Sequence, residues 1–89
     1  MIEIRLSKHS QKFLTSIHPR HAIQLRSKIL SLKDNPYPQD YKQLINYDYF
    51  RVDAGEYRIV YKLEDHVLFI VLIGKRNDDE IYKKLKRIS

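Results

Sequence analysis

From residue 67 to residue 73 the chain reads VLFIVLI, an apolar run with no polar interruption. That length suits a strand, and a strand without alternation must be covered on both faces. Just upstream, residues 56–63 (EYRIVYKL) alternate polar and apolar positions. Ala54-Gly55 separates them from residues 48–53 (DYFRVD), which is the spacing of a two-residue hairpin. Glu64-Asp65 supplies the next turn. Residues 2–6 (IEIRL) also alternate and predict a strand at the N-terminus.

Two helices lie between the first strand and the hairpin. Ser7 is placed to cap a helix running to about Ser16, with Phe13, Leu14 and Ile17 as its apolar residues. His18-Pro19 breaks it, and Pro19 suits the first position of a second helix. Over residues 19–33, Ala22, Leu25, Ile29 and Leu32 recur at three- and four-residue spacing, the pattern of an amphipathic helix. Asp34-Asn35-Pro36-Tyr37-Pro38 stops it, and residues 34–47 read as a loop. Gly74 closes the apolar run. Asn77 with Glu80 resembles a capping box for a helix over 78–88, with Ile81, Leu85 and Ile88 on one side. The order is β-α-α-β-β-β-α. It predicts one α+β domain over residues 1–89, with an antiparallel-rich sheet of about four strands, an N-terminal αα-hairpin and a short C-terminal helix.

Composition narrows the chemistry. The 89 residues contain no cysteine, so neither a disulfide framework nor a thiolate metal site is available. His18 and His21 have no credible third ligand, and no glycine-rich phosphate loop is present. No metal and no small-molecule cofactor is expected. No stretch reaches the length of a membrane span and the N-terminus has no signal-peptide core, so a soluble cytoplasmic protein is expected. A net charge of +6 points to a polyanionic partner.

The candidate site lies in the C-terminal half. With Ala54-Gly55 as the hairpin loop, Arg51 falls opposite Arg58 on one face. Like charges so placed repel. An anion held between them would relieve the repulsion; pairing with Asp53, Glu56 or Asp78 would do so too. Lys75 and Arg76 leave the end of the buried strand, and Tyr82 lies early in the last helix, beside its apolar stripe. Lys42, Lys75, Lys83, Lys84 and Lys86 can contact phosphates, and Tyr47 and Tyr49 can stack on bases. Tyr57 and Tyr61 alternate away from Arg58 and read as core. The histidines read as surface residues away from the arginines.

The sequence Tyr57-Arg58-Ile59-Val60-Tyr61, the apolar strand, Gly74-Lys75-Arg76 and Tyr82 together resemble the RelE family of the RelE/ParE toxin–antitoxin superfamily. Tyr49-Phe50-Arg51-Val52 and the glycine hairpin fit as well, and the order of elements matches over essentially the whole chain. The resemblance implies a toxin that enters the ribosomal A site, cuts mRNA there without a metal, and is held by a cognate antitoxin. By motif, Arg58 and Arg76 match arginines that hold and activate the scissile phosphate. Tyr82 matches the tyrosine that aligns or deprotonates the attacking 2′-hydroxyl. Arg51 stands where the family usually has a catalytic lysine, and Tyr49 where it often has a second, which removes one cation. Two other readings share the fold: a ParE-like toxin that poisons DNA gyrase, and a catalytically weak relative that acts as a binding module.

Overall fold

The computed structural model describes residues 2–44, 48–77 and 80–88. The elements are β1 (Glu3–Leu6), α1 (Lys8–Ser16), α2 (Pro19–Asp34), β2 (Lys42–Gln43), β3 (Phe50–Ala54), β4 (Tyr57–Glu64), β5 (Val67–Lys75) and α3 (Glu80–Ile88). The strands form one five-stranded sheet in the order β1-β5-β4-β3-β2. β1 runs parallel to β5 and every other pair is antiparallel. The α+β architecture is the expected one, with β2 as a short additional edge strand inside the loop read from sequence. α3 starts at Glu80, but the capping box expected at Asn77 and Glu80 rests on the Glu80 side chain and on residues 78–79, which lie outside the described residues.

Both faces of the sheet are covered, as the apolar run requires. On one face α1 and α2 bury Leu14, Leu25, Ile29 and Leu32 against Val52, Tyr57, Ile59, Tyr61, Leu68, Ile70 and Ile73. On the other face α3 packs Leu85 onto Val60, Leu72 and Leu44, with Tyr82 at the margin. Tyr57 and Tyr61 are buried, as their alternation predicts. The Tyr61 hydroxyl donates to the Pro36 carbonyl at 2.6 Å. Burial raises the pKa of this phenol, and the nearby Asp40, Tyr37 and Tyr41 add to the effect.

Strand β5 serves two faces because its register changes. Tyr61 pairs with Ile70, yet Val60 pairs with Leu72, so Val71 is an extra residue in β5. A bulge of this kind leaves backbone groups unpaired by the ladder. The start of α1 supplies donors to this stretch of β5, one of them to Val71 itself. Ser7 N–H donates to the Ile70 carbonyl at 3.0 Å. The Ser7 hydroxyl donates to the Val71 carbonyl at 2.7 Å, and the fully buried Ser10 hydroxyl donates to the Ile70 carbonyl at 3.2 Å. Ser7 Oγ also caps α1 by accepting from Ser10 N–H at 3.0 Å. One side chain thus ends β1, starts α1 and seats both on the bulge.

The β3–β4 hairpin differs from the sequence reading by one residue. Its loop is Gly55-Glu56, not Ala54-Gly55: Ala54 pairs with Tyr57 and Asp53 with Arg58. Glycine occupies the first loop position with φ +61°, a conformation that side chains rarely adopt. A Cβ there would also lie 2.7 Å from the Gln24 side chain of α2. The physical reason for the shift is therefore local: the positive φ must fall inside the loop. The β4–β5 loop, Asp65-His66, has positive φ at both residues, which matches the type I′ hairpin.

Replacing Ser7 by alanine removes a helix cap and leaves the Val71 carbonyl without its donor. We expect Ser7→Ala to lower stability by about 1–3 kcal/mol, read as a drop in the urea midpoint at unchanged slope.

Candidate functional site

The corrected register places Asp53, not Arg51, opposite Arg58. Arg58 Nε donates to Asp53 Oδ1 at 2.9 Å. The other end of the guanidinium reaches α3, where Arg58 Nη1 donates to the Tyr82 hydroxyl oxygen at 2.7 Å. Across β5 the partner of Arg58 is Gly74, which contributes no side chain. The guanidinium therefore lies on the α3 face of the sheet, fixed from both sides. Its side chain is 14% exposed, against 37% for Asp53. Burial pulls the Arg58 pKa down. The bond to Asp53 and the fields of Tyr82 and Asp53 more than offset that, so the pKa is raised and the cation is secured.

Arg51 points to the same face, two residues from Asp53 along β3. Its cross-strand neighbours are Val60 on β4 and Lys42 on β2. The like-charge pair expected between Arg51 and Arg58 is therefore corrected: Arg51 faces Lys42, and Arg58 faces a carboxylate. Lys42 is exposed and Arg51 half-buried. Two cations opposite each other on a ladder disfavour the fold slightly and favour an anion between them.

Arg76 lies just beyond β5, with its backbone N–H donating to the Glu56 carbonyl at 2.8 Å. Its side chain is exposed, and with Glu56, Tyr57, Lys75 and Asn77 it lines a cavity of about 350 Å3 at the hairpin end. Among the described residues no hydrogen bond or ion pair joins Arg76 to Arg58 or Tyr82. Lys83 and Lys86 are exposed on α3, whereas the side chain of Lys84 lies outside the described residues, as does Tyr47. Tyr49 is half-buried, and the Lys62 ammonium stands 5.9 Å from its ring centre and 5.4 Å from that of Phe69. The same ammonium is ion-paired with Glu64 at 3.4 Å.

Pairing of an arginine with Asp53 was one of the alternatives open in the sequence, and the structure selects it for Arg58; its place directly opposite Arg58 required the correct hairpin register, for which the glycine position was the available signal. Two features escaped the sequence. Lys62 required knowing that it pairs with Phe69 on β5 and reaches the Tyr49 ring just before β3. His21 is not a bare surface residue: its Nδ1 lies 2.8 Å from the Tyr57 hydroxyl, on the helix-covered face. Among the described residues no group of three potential metal ligands occurs, and no helix is long and apolar enough to cross a membrane.

A mixed five-stranded sheet between an αα-hairpin and a short basic helix is the architecture of small toxins of type II toxin–antitoxin systems. A family model for the ParE toxin of type II toxin–antitoxin systems, parDE, matches residues 4–80, and the chain belongs to that family. It is a toxin of the RelE/ParE superfamily. No curated protein sequence matches it. Among solved structures, a doubly substituted Escherichia coli RelE toxin in the free state superposes with a TM-score of 0.81 at 22% identity, covering 99% of this chain and 98% of that one. The archaeal RelE–RelB complex from Pyrococcus horikoshii gives 0.76 at 24%, covering 85% and 96%. A YoeB/ParE toxin from Agrobacterium tumefaciens gives 0.73 at 15%, covering 84% and 99%. At these identities the likeness is one of fold.

The Arg58–Tyr82 bond also ties α3 to the sheet. Tyr82→Phe should cost about 1 kcal/mol, the worth of one hydrogen bond. Arg58→Ala should cost more, because Asp53 and Tyr82 lose their partner together. Urea unfolding of the two variants checks the order, and equal midpoints would contradict the shared role of Arg58.

Proposed function

We propose that this toxin is a metal-independent RNA endonuclease that cuts mRNA in the ribosomal A site and so stops translation. The observation that carries the reading is the 2.7 Å bond from Arg58 to the Tyr82 hydroxyl. It sets a secured cation and a phenol on one sheet face, with Arg51 and Lys42 along the same face. Attack of a ribose 2′-hydroxyl on the adjacent phosphorus makes a new O–P bond and breaks the bond to the 5′-oxygen of the next nucleotide. Negative charge grows on the phosphoryl oxygens during that step. A guanidinium fixed in advance stabilises it, since nothing need reorganise. Arg58 cannot act as a base, because it stays protonated. Tyr82 is the group that orients or deprotonates the 2′-hydroxyl. Arg76, on the exposed strand end, stabilises the leaving oxygen by charge.

The same reading brings in partners. The relatives of known structure include RelE–RelB complexes from E. coli and P. horikoshii. We extend an antitoxin partner to this chain, along with mRNA and ribosomal RNA, and place the action in the cytoplasm, where translation occurs. The +6 charge suits an acidic antitoxin segment as well as RNA.

A second reading, poisoning of DNA gyrase through a protein interface, is favoured by the ParE model, whose match ends at residue 80, before Tyr82. The two separate cleanly. In a translation extract, wild-type protein should produce cut mRNA at defined codons. Arg58→Ala should reduce the rate about 10²–10³-fold, the usual effect of losing one transition-state donor. Inhibition of supercoiling with intact mRNA would reverse the ranking. Cutting that persists unchanged in Arg58→Ala would remove the proposed chemistry.

A further inference from the structure

The connection between α2 and β2 carries an aromatic cluster that neither the toxin fold nor the Arg58–Tyr82 site accounts for. Tyr37 and Tyr41 have ring centres 5.5 Å apart with planes at 59°. Both stand on Phe50, at 5.4 and 5.7 Å, in edge-to-face contacts. Phe50 in turn packs on the buried Tyr61 at 5.8 Å. The lower two rings complete the core. The upper two remain 46% and 39% exposed.

The loop that presents them is built to hold still. The Tyr61 hydroxyl ties down the Pro36 carbonyl. The Asn35 side-chain oxygen accepts from Tyr37 N–H at 3.2 Å, and the Pro38 carbonyl accepts from Tyr41 N–H at 3.0 Å. Asp40, the acidic group between the rings, is engaged by Lys28, with both oxygens 3.2 Å from Nζ. Two prolines in the same stretch restrict it further. A rigid, exposed aromatic pair is ready to stack on planar ligands, because little ordering entropy is left to lose.

Its position narrows the ligand class. Phe50 and Arg51 are neighbours on β3 and so point to opposite faces. The tyrosine pair therefore stands on one side of the narrow β2–β3 edge, and the Arg51–Lys42 cation pair on the other. Aromatic faces beside a pair of facing cations match the alternation of bases and phosphates in a single strand. We infer that Tyr37 and Tyr41 form a base-stacking platform for single-stranded RNA, with the strand crossing the β2–β3 edge so that its phosphate meets Arg51 and Lys42. This deepens the RNA reading above by naming where flanking nucleotides are held, outside the Arg58–Tyr82 pair. Stacking of this kind is indifferent to the edge of the base, so it contributes affinity across sequences.

Fluorescence anisotropy with a labelled ten-nucleotide RNA, 2′-O-methylated so that it cannot be cut, tests the platform without any cleavage step. Tyr37→Ala and Tyr41→Ala should each weaken binding about 5- to 150-fold, the usual range for losing one stacked base. Tyr37→Phe and Tyr41→Phe should bind within about twofold of wild type, since the ring face is kept. Far-ultraviolet circular dichroism of the alanine variants confirms that they are folded. Folded alanine variants that bind like wild type overturn the platform. So does a loss of antitoxin binding with RNA binding unchanged, which would make the ring pair a protein-docking surface. The outcome is separate from that of the cleavage reading. Wild-type protein that fails to cut mRNA, yet binds the methylated strand through these rings, keeps the platform and removes only the endonuclease.

Discussion

Strand β5 contains one residue more than β4 needs, and the position of that residue decides what surrounds Arg58. Beyond the bulge the register sum moves by one, so Arg58 pairs with Gly74. Without Val71 as the extra residue, the same ladder would set Ile73 against Arg58. An isoleucine would then stand beside the guanidinium on the α3 face, and the helix-covered face would lose a core residue that is 1% exposed. The bulge thus solves two problems together. It sends Ile73 to the larger core, and it leaves space where a cation meets a helix.

That arrangement depends in turn on the N-terminal segment. A bulge is tolerated only if its freed carbonyls find donors, because an unpaired buried carbonyl costs about 1–3 kcal/mol. The Ser7 hydroxyl is the donor to the Val71 carbonyl, and it belongs to the turn where β1 becomes α1. The first ten residues and the site at residues 58 and 82 are therefore linked through the backbone of β5. The link is structural. It acts on where Gly74 falls, not on the chemistry of any side chain.

Most of the fold could be read from periodicity. The apolar run at 67–73, the spacing of Ala22, Leu25, Ile29 and Leu32, and Pro19 after His18 each have one reasonable interpretation, and each is found in the structure. The bulge could not be read, because a strand covered on both faces has no alternation to reveal a phase change. The hairpin register failed for a related reason. Val52, Ile59 and Tyr57 are compatible with more than one pairing, and the deciding fact was the positive φ that only Gly55 takes easily. One residue of error there replaced a carboxylate by an arginine as the neighbour of Arg58. The sequence left Asp53 open as a partner for the arginines, but the register that puts it opposite Arg58 was not legible.

The corrected pairing changes how charge is distributed on the α3 face. Arg58, the best-placed cation, shares its field with Asp53, so its attraction for a distant phosphate is reduced while its orientation is enforced. Arg51 and Lys42 have the opposite character: among the described residues they stand across from each other and not from a carboxylate, so they repel. The exposed cations at the sheet edge and on α3 act at longer range, and salt screens their effect within about 8–10 Å. Short-range stabilisation falls to the guanidinium already locked between Asp53 and Tyr82. Salt therefore weakens the exposed edge charges while leaving the geometry of Arg58, held by its bonds to Asp53 and Tyr82, in place.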